Sequence, residues 1–135
     1  MLQHDPVVQL RTALQPVFTR YEKRLAAVYL FGSLAGESHD STSDVDIAVL
    51  ALRAENESIG ELRFSLYADF SRALKRNDID ILMLNTSGNL ILCEDIVRHA
   101  ILLFEGDADA RFDFERSIIH DAIDFRAQRL RVMGC

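Results

Sequence analysis

Two apolar runs, one ending in Tyr29-Leu30-Phe31 and one formed by Ile47-Ala48-Val49-Leu50, flank a segment with chemistry at both borders. Gly32-Ser33 breaks the first run, and Asp44-Val45-Asp46 opens the second. Alternate residues of a strand point to opposite sides, so Asp44 and Asp46 present paired carboxylates while Val45, Ile47 and Val49 turn the other way into a core. A chain with this pattern needs a sheet covered by helices, with one strand end left open to water. A hard divalent cation such as Mg²⁺ is held by one or two carboxylates together with phosphate oxygens and waters. The Asp pair is therefore a candidate metal site. Gly32 and Ser33 are a candidate phosphate cradle, because glycine allows close backbone approach and a turn can aim N–H groups at an anion.

The rest of the chain reads as support for that sheet. Asp5-Pro6 has the form of a helix start, and Val7, Leu10, Leu14, Val17, Phe18 and Tyr21 recur at helical spacing. Pro16 lies within that pattern and predicts a kinked or divided helix. Strands are expected over 26–31 and 46–52. Ser58 with Glu61 forms a capping box for a helix whose apolar face is Ile59, Leu62, Leu66, Phe70 and Ala73. A third strand over 78–84 sets Asp78, Asp80 and Leu82 on one face and Ile79, Ile81 and Met83 on the other. A helix over 90–100 follows, then a short edge strand over 101–104 closed by Gly106. A long helix over 108–132 ends the chain, with Phe112, Ile119, Ile123 and Leu130 on one stripe and Phe114, Ile118, Ala122 and Phe125 beside it.

Composition narrows the function classes. At 135 residues and 49% hydrophobic, the chain is expected to form one α/β domain over 1–135. No apolar run is long enough to span a bilayer, and the N-terminus lacks the basic-then-apolar order of a signal peptide, which predicts a cytoplasmic protein with no membrane association. The formal charge of −6 argues against direct nucleic-acid binding and suits a basic protein partner. Cys93 and Cys135 make no ligand spacing, and His4, His39, His99 and His120 have no partner at metal-ligand spacing.

Gly-Ser, ten intervening residues (34–43) and Asp-x-Asp, set in YLFGS and SDVDIAVL, resemble the nucleotidyltransferase superfamily that includes DNA polymerase beta. The match is to its minimal bacterial branch, the MNT-type antitoxins that partner HEPN toxins. That resemblance implies a nucleotidyltransferase fold: a small mixed sheet flanked by helices, with a long C-terminal helix. It also implies ATP as substrate, Mg²⁺ as cofactor, and transfer of AMP to a tyrosine hydroxyl of a cognate HEPN ribonuclease, which is thereby silenced. Asp44, Asp46 and Asp80 are the implied catalytic and metal-binding residues, with Gly32 and Ser33 on the ATP phosphates. In two-metal transfer one ion activates the attacking hydroxyl and needs a further acid. Asp80 fits that role by its aliphatic strand context, with Asp78 as runner-up.

Where many relatives carry basic residues after the Gly-Ser, this chain reads Leu34-Ala35-Gly36-Glu37, so local charge for a triphosphate is missing. Two other functions fit the residues: an antitoxin that neutralises by binding alone, and a small-molecule nucleotidyltransferase. The acids between Glu105 and Asp124 form either a solvated helix face or a docking surface for a basic toxin.

Overall fold

The computed structural model describes residues 5–32, 44–52 and 58–133. The element order is α1 (Pro6–Arg20), β1 (Leu25–Phe31), β2 (Val45–Ala51), α2 (Ile59–Leu74), β3 (Ile79–Met83), α3 (Leu90–His99), β4 (Ile101–Glu105) and α4 (Ala108–Met133). The strands form one sheet in the order β3-β2-β1-β4. β1 pairs antiparallel with both β2 and β4, whereas β2 and β3 run parallel because α2 returns the chain between them.

The capping chemistry read from the sequence is present. Asp5 accepts the Val7 N–H at 2.9 Å, with proline opening α1, and Ser58 accepts the Glu61 N–H at 3.0 Å. Pro16 does not divide α1: the helix is continuous from Pro6 to Arg20. Leu10 and Leu14 before the proline, and Val17 and Phe18 after it, are all buried in the same core, and that burial holds the two halves in one helix despite the missing backbone donor.

Period-two alternation in β1 and β2 sends side chains into two cores. Val45, Ile47 and Val49, with Ile79, Ile81 and Met83, pack under α1 and α2 against Leu14, Phe18, Leu66 and Phe70. Phe18 meets Phe70 edge-on with centroids 6.1 Å apart, a geometry worth about 0.5–1.5 kcal/mol beyond its area. On the other face Tyr29, Ala48 and Leu50 pack with Cys93 and Ile96 of α3, and with Ala110, Phe114 and Ile118 of α4. Cys93 is a buried free thiol, while Cys135 lies outside the described residues.

Both edge strands have a backbone acceptor taken by an arginine. Arg63 of α2 donates to the Ile81 carbonyl of β3, and Arg11 of α1 donates to the Leu102 carbonyl of β4, each at 2.9 Å. Such contacts blunt the open edges. Asn85 extends the sheet in a similar way, pairing through its side chain with both the N–H and the carbonyl of Ala51.

Candidate functional site

The acids sit where β2 and β3 begin, on the face shared with α3 and α4. β2 lies between β1 and β3, and Asp46 is in register with Phe31 on one side and Asp80 on the other. Cα partners in a sheet place their side chains on one face, so Asp46 and Asp80 stand side by side. Asp44 is two residues upstream of Asp46 on the same face. The remaining even positions of β2, Ala48 and Leu50, are covered by the α3 and α4 core, and the cover ends at Asp46, which is half-buried.

Electrostatics mark the cluster as short of positive charge. Burial, reinforced by the negative charges of Asp80 and Asp44, pushes the Asp46 carboxyl above the ordinary aspartate range. Oxygen donors gathered at a strand mouth, one of them held partly out of water, are the donor set a hard divalent ion takes. Among the described residues no group of three His, Cys, Asp or Glu side chains is placed to hold an ion on its own. Two carboxylates on adjacent strands do fit such an ion when phosphate oxygens and waters complete its shell.

Gly32, where β1 ends, closes the site from the other side. Its φ is +77°, and a β-carbon there would stand 2.1 Å from Asp46 Oδ2. Only glycine fits, for both conformation and space. Ser33, the other half of the expected cradle, lies outside the described residues, as do His4, His39 and the 34–37 segment.

Asp78 is placed differently from Asp80. Its carboxylate is gripped by Arg76, with Nε donating to Oδ1 at 2.5 Å and Nη2 to Oδ2 at 2.6 Å. That fork holds its carboxyl below the usual carboxylate range. The turn bearing Arg76 is itself fixed: Lys75 caps α2 in the left-handed region, the Arg76 N–H donates to the Ser71 carbonyl at 3.2 Å, and Tyr67 Oη donates to the Asn77 carbonyl at 3.0 Å. The Asp78 carbonyl accepts the Val45 N–H at 3.0 Å, which brings this turn against the start of β2, and Arg76 feels the charge of Asp44. Arg76 is thus a cation beside the cluster that the sequence reading missed; its sequence signal is the Arg-Asn-Asp spacing at the strand start.

A second missed group lies under α4. Tyr29 Oη donates to Glu115 Oε2 at 2.6 Å, and Arg111 spans Glu115 at 2.9 Å and Glu105 at 2.5 Å. Burial, followed by the hydrogen bond to Glu115, pushes the Tyr29 phenol well above its ordinary pKa. Tyr29 is therefore a core residue, and Phe31 is half-buried and packs against the same cluster. His99 and His120 are exposed: His99 lies against Asp95 at 3.1 Å, and His120 lies near Asp124 at 3.6 Å. A groove of about 450 Å³ runs between α2 and the outer edge of β3, lined in part by Arg63, Ile81 and Met83, and none of the three aspartates faces into it.

Residues 13–109 match the model of the polymerase beta nucleotidyltransferase family. No curated protein matches the sequence. The fold is similar to that of a chain in a toxin–antitoxin complex crystallised with AMP-PNP, at 24% identity and a TM-score of 0.70, covering 92% of this chain and 95% of that one. It is also similar to a chain in the complex of tri-AMPylated Shewanella oneidensis HEPN toxin with MNT antitoxin. There the identity is 23% and the TM-score 0.67, with 95% and 96% covered. A chain of an MntA-HepT complex matches at 23% identity and a TM-score of 0.65, over 93% and 95%. The nucleotidyltransferase fold, a mixed four-stranded sheet with helices and a long last helix, is the architecture shared with these chains.

Proposed function

The chain belongs to the polymerase beta nucleotidyltransferase family, and from that premise we propose that it transfers AMP from ATP to a tyrosine hydroxyl of a cognate HEPN toxin, acting as its antitoxin. The observation that carries this reading is the register match of Asp46 with Asp80 across parallel strands, behind a turn where only Gly32 fits. The resemblance to chains from toxin–antitoxin complexes, one holding AMP-PNP and one an AMPylated toxin, supports the choice of nucleotide and partner.

In this reading Asp44 and Asp46 hold Mg²⁺ on the nucleotide phosphates, and Asp80 holds the ion on the acceptor side. Bound Mg²⁺ supplies charge neutralisation at the transferring phosphorus and lowers the pKa of the attacking hydroxyl. Gly32 lets the backbone approach the phosphates, and Ser33 joins it there. Asp46, kept partly out of water by Phe31 and the α3 and α4 core, has the weakest solvation of the three and gains most from a cation. Asp80 stands beside it on an edge strand, the side from which an acceptor can approach. Arg76, fixed at the strand mouth, cancels the charge of Asp78, so that acid does not add to the repulsion that the phosphates meet.

The attack joins the acceptor oxygen to the α-phosphorus of ATP and releases pyrophosphate, with the hydroxyl proton lost to solvent. Incubating the chain with ATP labelled at the α-phosphate, Mg²⁺ and a HEPN protein encoded beside it tests it. Label is expected on the HEPN protein, and a neutralised ribonuclease with no label points instead to an antitoxin acting by binding alone. Asp44→Asn with Asp46→Asn is expected to abolish labelling.

A further inference from the structure

One tyrosine puts its hydroxyl into the core on the site's face of the sheet. Tyr29 is 2% exposed, in a cluster with Ala27, Ala48, Leu50, Cys93 and Ile96 where a phenylalanine would need no hydrogen-bond partner. Its hydroxyl reaches Glu115 of α4 at 2.6 Å, and Arg111 holds the same carboxylate oxygen at 2.9 Å. A hydrogen bond to an ionised acceptor is roughly twice as strong as a neutral one. Two elements far apart in the chain are thus joined at one buried point.

The place of this joint along β1 gives it a consequence for the site. α4 starts beside the start of β1, where the Gly106 and Asp107 N–H groups donate to the Ala26 carbonyl at 2.8 and 3.2 Å. It then runs toward the Gly32 end, since Glu115, about two turns on, meets Tyr29. β4 leaves the strand over the same stretch. Its register with β1 slips between Val28 and Tyr29, and the pairing ends at Leu30 with Ile101. Among the described residues Phe31 therefore has a strand partner on β2 alone, and that partner is Asp46. A slip of this kind bends a strand and raises its twist. Leu30 and Phe31 have no side-chain polar atom, so Tyr29 is the last residue of β1 whose side chain can tether the strand by a hydrogen bond.

We propose that Tyr29 and Glu115 are positioning residues for the nucleotide site: their hydrogen bond holds the end of β1 so that the Gly32 turn stays seated against Asp46. The inference rests on the transferase reading and deepens it. Both residues act through Gly32 rather than on the substrate. A β-carbon there would lie 2.1 Å from Asp46 Oδ2, so turn and carboxylate are in close contact and a small drift of the strand end displaces one or both. Arg111, pinned in turn by Glu105 at 2.5 Å, keeps the Glu115 carboxylate aimed at the hydroxyl.

The bond between Tyr21 and Asp69 supplies the control. It has the same chemistry, a buried phenol on a carboxylate at 2.5 Å, but joins the end of α1 to α2 on the opposite face of the sheet. Tyr29→Phe and Tyr21→Phe are compared by thermal melts, by amide exchange at Phe31 and Gly32 in the nucleotide-free chain, and by AMP transfer to a HEPN protein encoded beside this chain. Both variants are expected to lose some stability. Only Tyr29→Phe is expected to speed exchange at Phe31 and Gly32 and to lower turnover, by at least about 10-fold, with half-saturation by the HEPN protein unchanged. Glu115→Gln keeps an oxygen for the phenol and loses the charge that Arg111 binds, whereas Glu115→Ala loses both. The glutamine variant is therefore expected to keep most of the turnover, and the alanine variant to match Tyr29→Phe. Parent turnover in Tyr29→Phe, or losses that follow stability alike in the Tyr21 and Tyr29 variants, overturn the positioning role and leave the transferase reading standing. A parent chain that labels no HEPN protein overturns both.

Discussion

The α-carbon of Gly32 and the carboxylate of Asp46 share a space with no room for one more carbon: a β-carbon on residue 32 would lie 2.1 Å from Asp46 Oδ2. Turn and carboxylate come from different strands of one antiparallel pair, since Phe31, the residue before the glycine, is the register partner of Asp46. The turn therefore fixes where the acid sits, and the acid dictates which residue the turn can use.

Gly32→Ala is expected to cost the fold about 1–2 kcal/mol, because residue 32 has φ +77° and a side chain is strained there. The loss of transfer should be much larger, at least about 100-fold, because the methyl displaces the Asp46 carboxylate and a misplacement of ~1 Å can cost that much. Thermal melts alongside the labelling assay separate the two effects. A variant that loses stability but labels at the parent rate would show that Asp46 does not act from its present position.

For the third carboxylate, Asp80→Asn is expected to lower turnover by orders of magnitude while ATP binding falls little, since in the proposed reading Asp44 and Asp46 alone hold the nucleotide-side ion. Asp78→Asn should behave in the opposite way. Arg76 already neutralises Asp78, so turnover should persist with only a weakened strand-start turn. Turnover and ATP affinity measured on both variants decide the assignment, and equal losses in the two Asp80→Asn measurements would make Asp80 a general binding residue.

Arg76→Ala is expected to weaken ATP binding several-fold while changing AMP binding less, because Asp78, released from the fork, adds an uncompensated negative charge beside Asp44 that repels the longer phosphate chain more. Calorimetric titration with each nucleotide gives the comparison. Equal loss for both nucleotides would reduce Arg76 to a brace for Asp78.

The alternation of β2 and β3 was legible because one face of each strand is a run of aliphatics, which fixes the acids to the other face. Choosing between Asp78 and Asp80 was not, because both lie on that face and only the folded turn shows Arg76 closing on Asp78. The fate of Glu115 was hidden for a similar reason: its partner Tyr29 is 86 residues away, and a charge run on a helix gives no sign of a phenol reaching it from β1. Helical spacing placed both apolar stripes of α4 but not which one the sheet would cover. That choice depends on how α3 seats against α4, where Glu94 binds both Arg98 of its own helix and Arg126 of the other.

Glu94 supplies a prediction about pH. The hydrogen bonds from Arg126 and Arg98 hold its carboxyl below the ordinary glutamate value of 4.5. A depressed acid contributes stability that is present above its unfolded pKa and lost as pH falls through the folded one. Residues 123–131 of α4 are exposed, and this tie anchors them. Acidification below the ordinary glutamate range should therefore loosen residues 123–131 before the sheet melts, and Glu94→Gln should do the same at neutral pH. Amide exchange resolved along α4 is the measurement, and uniform protection across the helix at low pH would refute the role of the tie.

Asp46 makes the opposite prediction, and the sign follows from its neighbours. Its carboxyl is raised by burial and by the charges of Asp80 and Asp44, so the folded chain favours the protonated form more than the unfolded chain does. A group of that kind contributes stability that is fully present below its unfolded pKa and lost as pH rises through the folded one. At neutral pH the ionised Asp46 carboxylate is therefore a source of instability. Asp46→Asn removes the charge and keeps the shape, so the metal-free variant should melt a few degrees above the parent at pH 7, and the gap should close as pH is lowered and the parent carboxyl protonates. Millimolar Mg²⁺ with ATP should raise the parent's melting temperature and leave the variant's almost unchanged, since ligand stabilises only the form that binds it. Melting curves across pH, with and without Mg²⁺-ATP, provide both comparisons. A variant less stable than the parent at neutral pH would mean that the Asp46 carboxylate is held by favourable contacts, and its reading as a strained metal ligand would fail.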